Sequence, residues 1–135
     1  MRPLRWLPLW LILGWSYALT IVVFCLIPLA SPSLNFHWSD KLEHLSAYAL
    51  LMGWFALILL DPTLLRRYAL GFIAMGLGIE CLQGLTDYRS FEWADWGADS
   101  LGVLLGLLPV RSNAAQALLR LESWLPAPAG NPPPP

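Results

Sequence analysis

Asp40, Lys41, Glu43 and His44 open one apolar stretch of this chain, and Tyr48 stands one helical turn beyond the histidine. Glu80 and Gln83 lie near the end of the next stretch, Asp95 and Asp99 near the start of the one after it, and Arg89 in the polar connection between them. A histidine among carboxylates is suited to proton transfer, because its ordinary pKa lies close to neutral pH. In such chemistry His44 would act as general base, Glu80 or Asp95 as acid or orienting group, and Lys41 with Arg89 would stabilise developing negative charge. The same set suits binding without catalysis. Lys41 and Arg89 would then meet an anionic group, while Tyr48, Gln83 and the carboxylates, Asp40 and Asp99 among them, would meet hydroxyls or amides. No serine-centred nucleophile motif, phosphate-cradling glycine loop or zinc signature accompanies these residues, so they name no reaction class.

The elements that must position them are greasy. The chain of 135 residues is 57 % hydrophobic and 13 % charged, and long apolar stretches cover 6–29, 42–60, 68–85 and 94–110. About 17–25 helical residues cross the ~30 Å of bilayer hydrocarbon, so each stretch is expected to be a span. Folded as an antiparallel bundle, one side collects Arg2, Arg5, Arg66, Arg67, Arg111 and Arg120 against Asp61 and Glu122. The other side collects Asp40, Glu43, Glu80, Asp87, Glu92, Asp95 and Asp99 against Lys41 and Arg89. Positive charge stays on the cytoplasmic side, which puts both termini and the Arg66-Arg67 turn there and the acidic helix ends outside. The expectation is an all-α membrane protein of four transmembrane helices, one domain over 1–125 with a disordered Pro-rich tail over 126–135. No basic stripe points to nucleic acid. A secretory signal cleaved near Ala30 would need an apolar core of ~7–15 residues, and the first stretch is longer.

The connections support this layout. Residues 30–39 are rich in Pro, Ser and Asn and predict an exposed outer loop, Asp61-Pro62 ends the second stretch, and 86–93 is the most polar segment. Trp38, Trp93 and Trp96 at one boundary, and Trp6 and Trp10 at the other, have the placement of interfacial anchors. After Arg111, Ala117, Leu118, Leu121 and Leu125 recur at the spacing of an amphipathic interfacial helix. Cys25 and Cys81 read as small packing residues.

Helical spacing also predicts convergence. Asp40, His44 and Ala47 share one face, as do Asp95, Asp99, Gly102 and Gly106, and Gly76, Glu80 and Gly84. Glycines in such stripes let membrane helices approach closely, so the carboxylates should meet inside the bundle near its outer end. Plainer readings exist. Asp40 with Glu43 has the spacing of a capping pair, Asp95 suits the positive end of a helix dipole, His44 could be a satisfied buried histidine, and Arg89 a loop counter-ion. Glu80 resists them, because it stands near a helix C-terminus, where the dipole disfavours an anion, and inside the apolar run.

The run from Asp40 to Tyr48, the Glu80 and Gln83 pair, the Arg89 loop, and Asp95 and Asp99 followed by Leu101-Gly102-Val103-Leu104-Leu105-Gly106 resemble the VanZ-like family over about residues 40–108. The resemblance implies a small multi-pass protein of the bacterial plasma membrane with a cell-envelope role; the family's namesake is associated with resistance to the glycopeptide teicoplanin. It supplies no reaction. Family members often carry Asn where this chain has Asp99, so a second carboxyl stands beside Asp95 here, able to share a proton or bind a cation.

Four readings compete. An outer pocket engaging a lipid, lipid-linked glycan or amphiphilic antibiotic is preferred, and an intramembrane acid/base enzyme is the alternative. A divalent cation at Asp40, His44, Glu80, Asp95 and Asp99 is chemically adequate, but Lys41 and Arg89 weigh against dense coordination, so no metal and no cofactor is assigned. Proton-coupled transport is disfavoured because the ionisable groups all gather on one side. The expected partners are the lipid bilayer and a lipid-linked or amphiphilic ligand, with the oligomeric state left open.

Overall fold

A computed structural model of the chain describes residues 3–28, 39–87, 89–108 and 114–126. The described residues form α1 (Leu7–Leu26), α2 (Ser39–Ile58), α3 (Pro62–Gln83), α4 (Trp93–Gly106) and α5 (Ala114–Trp124), and include no strand. The expected loop over 30–39 with Trp38, Tyr88, and the tail beyond Pro126 lie largely outside the described residues.

Consecutive helices from α1 to α4 alternate in direction. Trp15 of α1 packs on Phe55 of α2 and on Tyr68 and Phe72 of α3, with ring centroids 5.4–6.2 Å apart. Further along, the Gln83 amide at the end of α3 donates to the Cys25 carbonyl near the end of α1 at 2.8 Å, so these two helices run together. The closest seam joins α2 and α4, which also share a direction. Gly102 lies against the backbone of Leu45 and Ala49, and Gly106 against that of Ala49 and Gly53. No Cβ separates the helices at these points, as small-residue stripes permit. Tyr48, Leu51, Met52, Phe55 and Val103 are wholly buried around the seam.

Asp61 does more than end a stretch. Its side chain accepts from the Thr63 amide at 2.8 Å with Pro62 at the first helical position, a cap worth ~1 kcal/mol that starts α3 at 62, before the expected 68. The fourth helix is also shorter than its apolar run, ending at Gly106 and covering 14 residues, or ~21 Å at ~1.5 Å per residue. Among the described residues, α1 alone is long and apolar enough to cross a membrane by length and composition, with a mean hydropathy of 2.1.

The fifth helix appears where the periodicity places it, but its anchor is a residue that pattern does not single out. Glu122, 3 % exposed, accepts from the backbone amides of Arg5 at 2.7 Å and Trp6 at 2.8 Å and from the Trp10 indole at 2.7 Å. A carboxylate thereby satisfies amides at the start of α1, where the helix dipole is positive. Leu118 completes the joint by packing with Leu4, Trp10 and Ile58. Trp10 is therefore an internal donor, as is Trp96, whose indole donates to the Ile73 carbonyl at 3.1 Å, whereas Trp93 is exposed.

Candidate functional site

At the end of the bundle away from α5, the first turns of α2 and α4 meet the last turn of α3. Each of the three brings acids. Asp40 and Asp95 sit in the first turns of their helices, where the dipole favours them, and Glu80 enters from the far end of α3. The glycine seam sets the spacing: with α2 and α4 in backbone contact at Gly102, His44 reaches Asp99, Nδ1 to Oδ1, at 2.9 Å. Gly76 on α3 makes the room behind this pair. A Cβ there would stand 2.7 Å from Asp99 Oδ2.

The structure brings most of the expected residues together. His44, Glu80, Asp95 and Asp99 are buried at this end, and Glu80 lies within electrostatic reach of the other three. Lys41 binds two carboxylates, Asp95 Oδ1 at 2.8 Å and Glu92 Oε2 at 3.0 Å. Arg89 Nη2 faces Asp40 Oδ1 at 3.8 Å on the surface. Both cations thus already have acidic partners, and the acids of this end outnumber them. Glu80 uses Oε2 to accept the Glu92 amide at 3.0 Å, which pins the loop before α4 to the end of α3.

A cavity of about 220 Å³ opens beside this cluster, and Asp40, His44, Tyr48 and Arg89 line it together with Phe24 and Cys25 of α1. Among the described residues the Tyr48 hydroxyl, Glu80 Oε1 and Ser100 Oγ are buried with no hydrogen-bond partner. A buried polar atom left unpaired costs ~1–3 kcal/mol, and of these three the Tyr48 hydroxyl belongs to a residue that lines the cavity. Gln83, expected among the ligand-binding residues, instead spends its amide on Cys25 of α1. Cys25 and Cys81 are both free thiols.

Along the outside of the same seam runs a second space of about 540 Å³, an apolar groove between Leu42 and Leu45 of α2 and Ala94, Ala98 and Leu101 of α4, with Lys41 at its end. Gly97 keeps it open, since nothing stands within 4 Å of where its Cβ would be.

Chemically, His44 is held for acid/base work or ligation, because Asp99 on Nδ1 fixes the ring and directs Nε2 to any other partner. Asp40, His44 and Asp95 each offer one ligand atom, all within 4.8 Å of one another, so among the described residues this trio has the spacing to hold a metal. Sequence reasoning missed Glu92, which serves both Lys41 and Glu80, and the α1 wall of the cavity. Glu92 was visible as one acid of a polar loop, but α1 carries no titratable carboxylate or histidine to draw attention to it. Comparison with protein-family models, with curated proteins and with solved structures finds no match to this chain.

Proposed function

We propose that this chain is a small bacterial multi-pass membrane protein of the VanZ-like type. In this reading α1 to α4 cross the plasma membrane, both termini are cytoplasmic, and the polar cavity faces outward to engage a cell-envelope lipid, a lipid-linked glycan or an amphiphilic glycopeptide. Its distribution of polarity supports a lipid surround. His44, Glu80, Asp95 and Asp99 are buried, while Ile12, Leu19, Phe24, Leu50, Leu70 and Leu104 are all more than half exposed. Water would favour the reverse, and an apolar outer surface of this extent belongs against lipid or a partner.

The observation that carries the ligand reading is the unpaired Tyr48 hydroxyl in a polar cavity whose wall includes the exposed Phe24 of α1. A molecule with a hydroxyl- or amide-bearing head suits this cavity, and its acyl tail would lie against the apolar outer surface beside Phe24. Native mass spectrometry of gently extracted protein tests it: a lipid or glycolipid adduct is expected, and an empty protein from every mild detergent would refute it. The topology has its own test. Cysteine replacing Ser90 should be labelled from outside intact cells and cysteine replacing Arg67 should be protected; the opposite pattern would overturn the orientation.

The His44 and Asp99 pair favours a second reading, an intramembrane enzyme using acid/base chemistry on such a lipid. Conversion of the co-purified molecule over time would select it over simple binding.

A further inference from the structure

The titratable cluster holds more than the lipid reading uses. Asp40 and His44 lie one turn apart on α2, and Asp95 faces them from the first turn of α4. Their ligand atoms fall within 4.8 Å of one another, and a cation ~2.0–2.2 Å from each would close that triangle with small side-chain rotations. We propose that Asp40, His44 and Asp95 form a site for one divalent transition cation of the Zn²⁺ or Mn²⁺ class, with a coordination position left open toward the cavity.

Ligand chemistry selects this class, since imidazole suits zinc and its neighbours while carboxylates suit the harder ions among them. The outer contacts of the ligands match as well. With Nε2 on the metal, Nδ1 of His44 donates to Asp99 Oδ1 at 2.9 Å, and a ligating histidine almost always donates its other ring N–H to such a carboxylate, which fixes the ring and raises its basicity.

An independent observation points to an occupant. Tyr48 is wholly buried, lines the same cavity as Asp40 and His44, and its hydroxyl has no partner in the protein. A water or ligand group held in the open position gives that hydroxyl the partner it lacks. Three protein ligands with one position open is the pattern of sites that act on a bound molecule, whereas purely structural sites are closed.

Lys41 is the objection, because its ammonium sits on Asp95. It engages Oδ1 only, and it has a second carboxylate in Glu92 at 3.0 Å, so Asp95 can turn its other oxygen to a cation without stranding the lysine. Arg89 is weaker still, at 3.8 Å from an Asp40 carboxylate that is 47 % exposed.

This site goes beyond the lipid reading and does not depend on it. The test uses the full chain in detergent, stripped with a chelator and titrated with Zn²⁺ and with Mn²⁺ by calorimetry, with elemental analysis for stoichiometry. One ion per chain at micromolar or tighter affinity is expected for at least one of them, together with a higher melting temperature. Asp40→Asn should weaken binding at least 10-fold without lowering the melting temperature of the stripped protein, since Asp40 is half exposed. Asp99→Asn, which would touch no metal, should weaken it ~10–100-fold. Asp87→Asn, an exposed acid outside the cluster, should leave it unchanged. Absence of saturable binding by both ions, or binding that Asp40→Asn leaves intact, would overturn the proposal. Lipid retention followed on the same samples keeps this result separate from the ligand reading.

Discussion

Adding one methyl group should give opposite results at different glycines of this protein, because the glycines do different jobs. At Gly106 a Cβ would stand 2.6 Å from the Ala49 carbonyl oxygen, and 2.8 Å from both the Gly53 amide nitrogen and the Met52 Cβ. Backbone cannot rotate out of the way as a side chain can. Heavy atoms rest at ~3.5 Å, so α2 and α4 must part by roughly 0.5–1 Å, and overpacking of this kind costs ~1–3 kcal/mol. Gly102→Ala is worse placed, against the Leu45 carbonyl and only three residues from Asp99, so it should stretch the 2.9 Å bond to His44 as well. At Gly78 and Gly97 nothing lies within 4 Å, and alanine there gains ~0.5–1 kcal/mol of helix propensity. Thermal unfolding of the detergent-solubilised variants should therefore rank Gly78→Ala and Gly97→Ala at or above the parent and both seam variants below it. Ligand retention should fall first in Gly102→Ala. If the seam variants melt no lower than Gly97→Ala, the two helices are not in the backbone contact described, and the spacing of the site has another cause.

Three further expectations follow from single side chains. Tyr48→Phe removes a buried hydroxyl that has no partner, so the melting temperature should hold or rise while ligand retention falls; a lower melting temperature would mean that the hydroxyl is structurally bonded. Glu80→Gln keeps the shape and an acceptor for the Glu92 amide, and should leave membrane abundance near normal while activity or binding is lost; if Glu80→Leu and Glu80→Gln both keep full function, Glu80 stands outside the site. Burial alone would push the Glu122 carboxyl up, but donation from the Trp10 indole and from the Trp6 and Arg5 amides, with the Arg5 charge, holds it below the usual range. A depressed folded pKa gives stability that is present above the unfolded value of ~4.3 and lost as pH falls through the folded one, so the stability gap between parent and Glu122→Gln should shrink in acid; a gap that stays constant with pH would refute this role for the carboxylate.

Much of the site was legible because helix geometry is local. The spacing of Asp40 and His44, and of Asp95, Asp99, Gly102 and Gly106, puts each group on one face without reference to the rest of the chain, and the glycines say which face meets a neighbour. The misses lie where local spacing has no say. Gln83 stands beside Glu80 in sequence, yet a carbonyl near the end of α1 lacks an intrahelical donor and takes its amide. Glu122 reads as one acid in an amphipathic helix, and only a contact across more than a hundred residues shows it to be the anchor of α5. Helix ends shifted for the same reason: hydropathy marks where a chain is greasy, whereas Asp61 and the turn at Leu107 mark where α3 starts and α4 stops.

The two ends of the bundle solve one problem in different ways. At the α5 end a single carboxylate is brought among apolar groups, and three N–H donors satisfy it, which leaves a closed structural joint. At the other end several carboxylates, a histidine and a lysine are brought together by a glycine seam, and the pairing stops short. Asp99 has His44, Asp95 has Lys41, and Glu80 has one amide, but Glu80 Oε1 and the Tyr48 hydroxyl have none. Stability alone would favour closing those gaps or filling the space with apolar side chains. An incomplete polar network beside a cavity is the arrangement of a site that something else completes, and that asymmetry between the ends is why function is placed at this one.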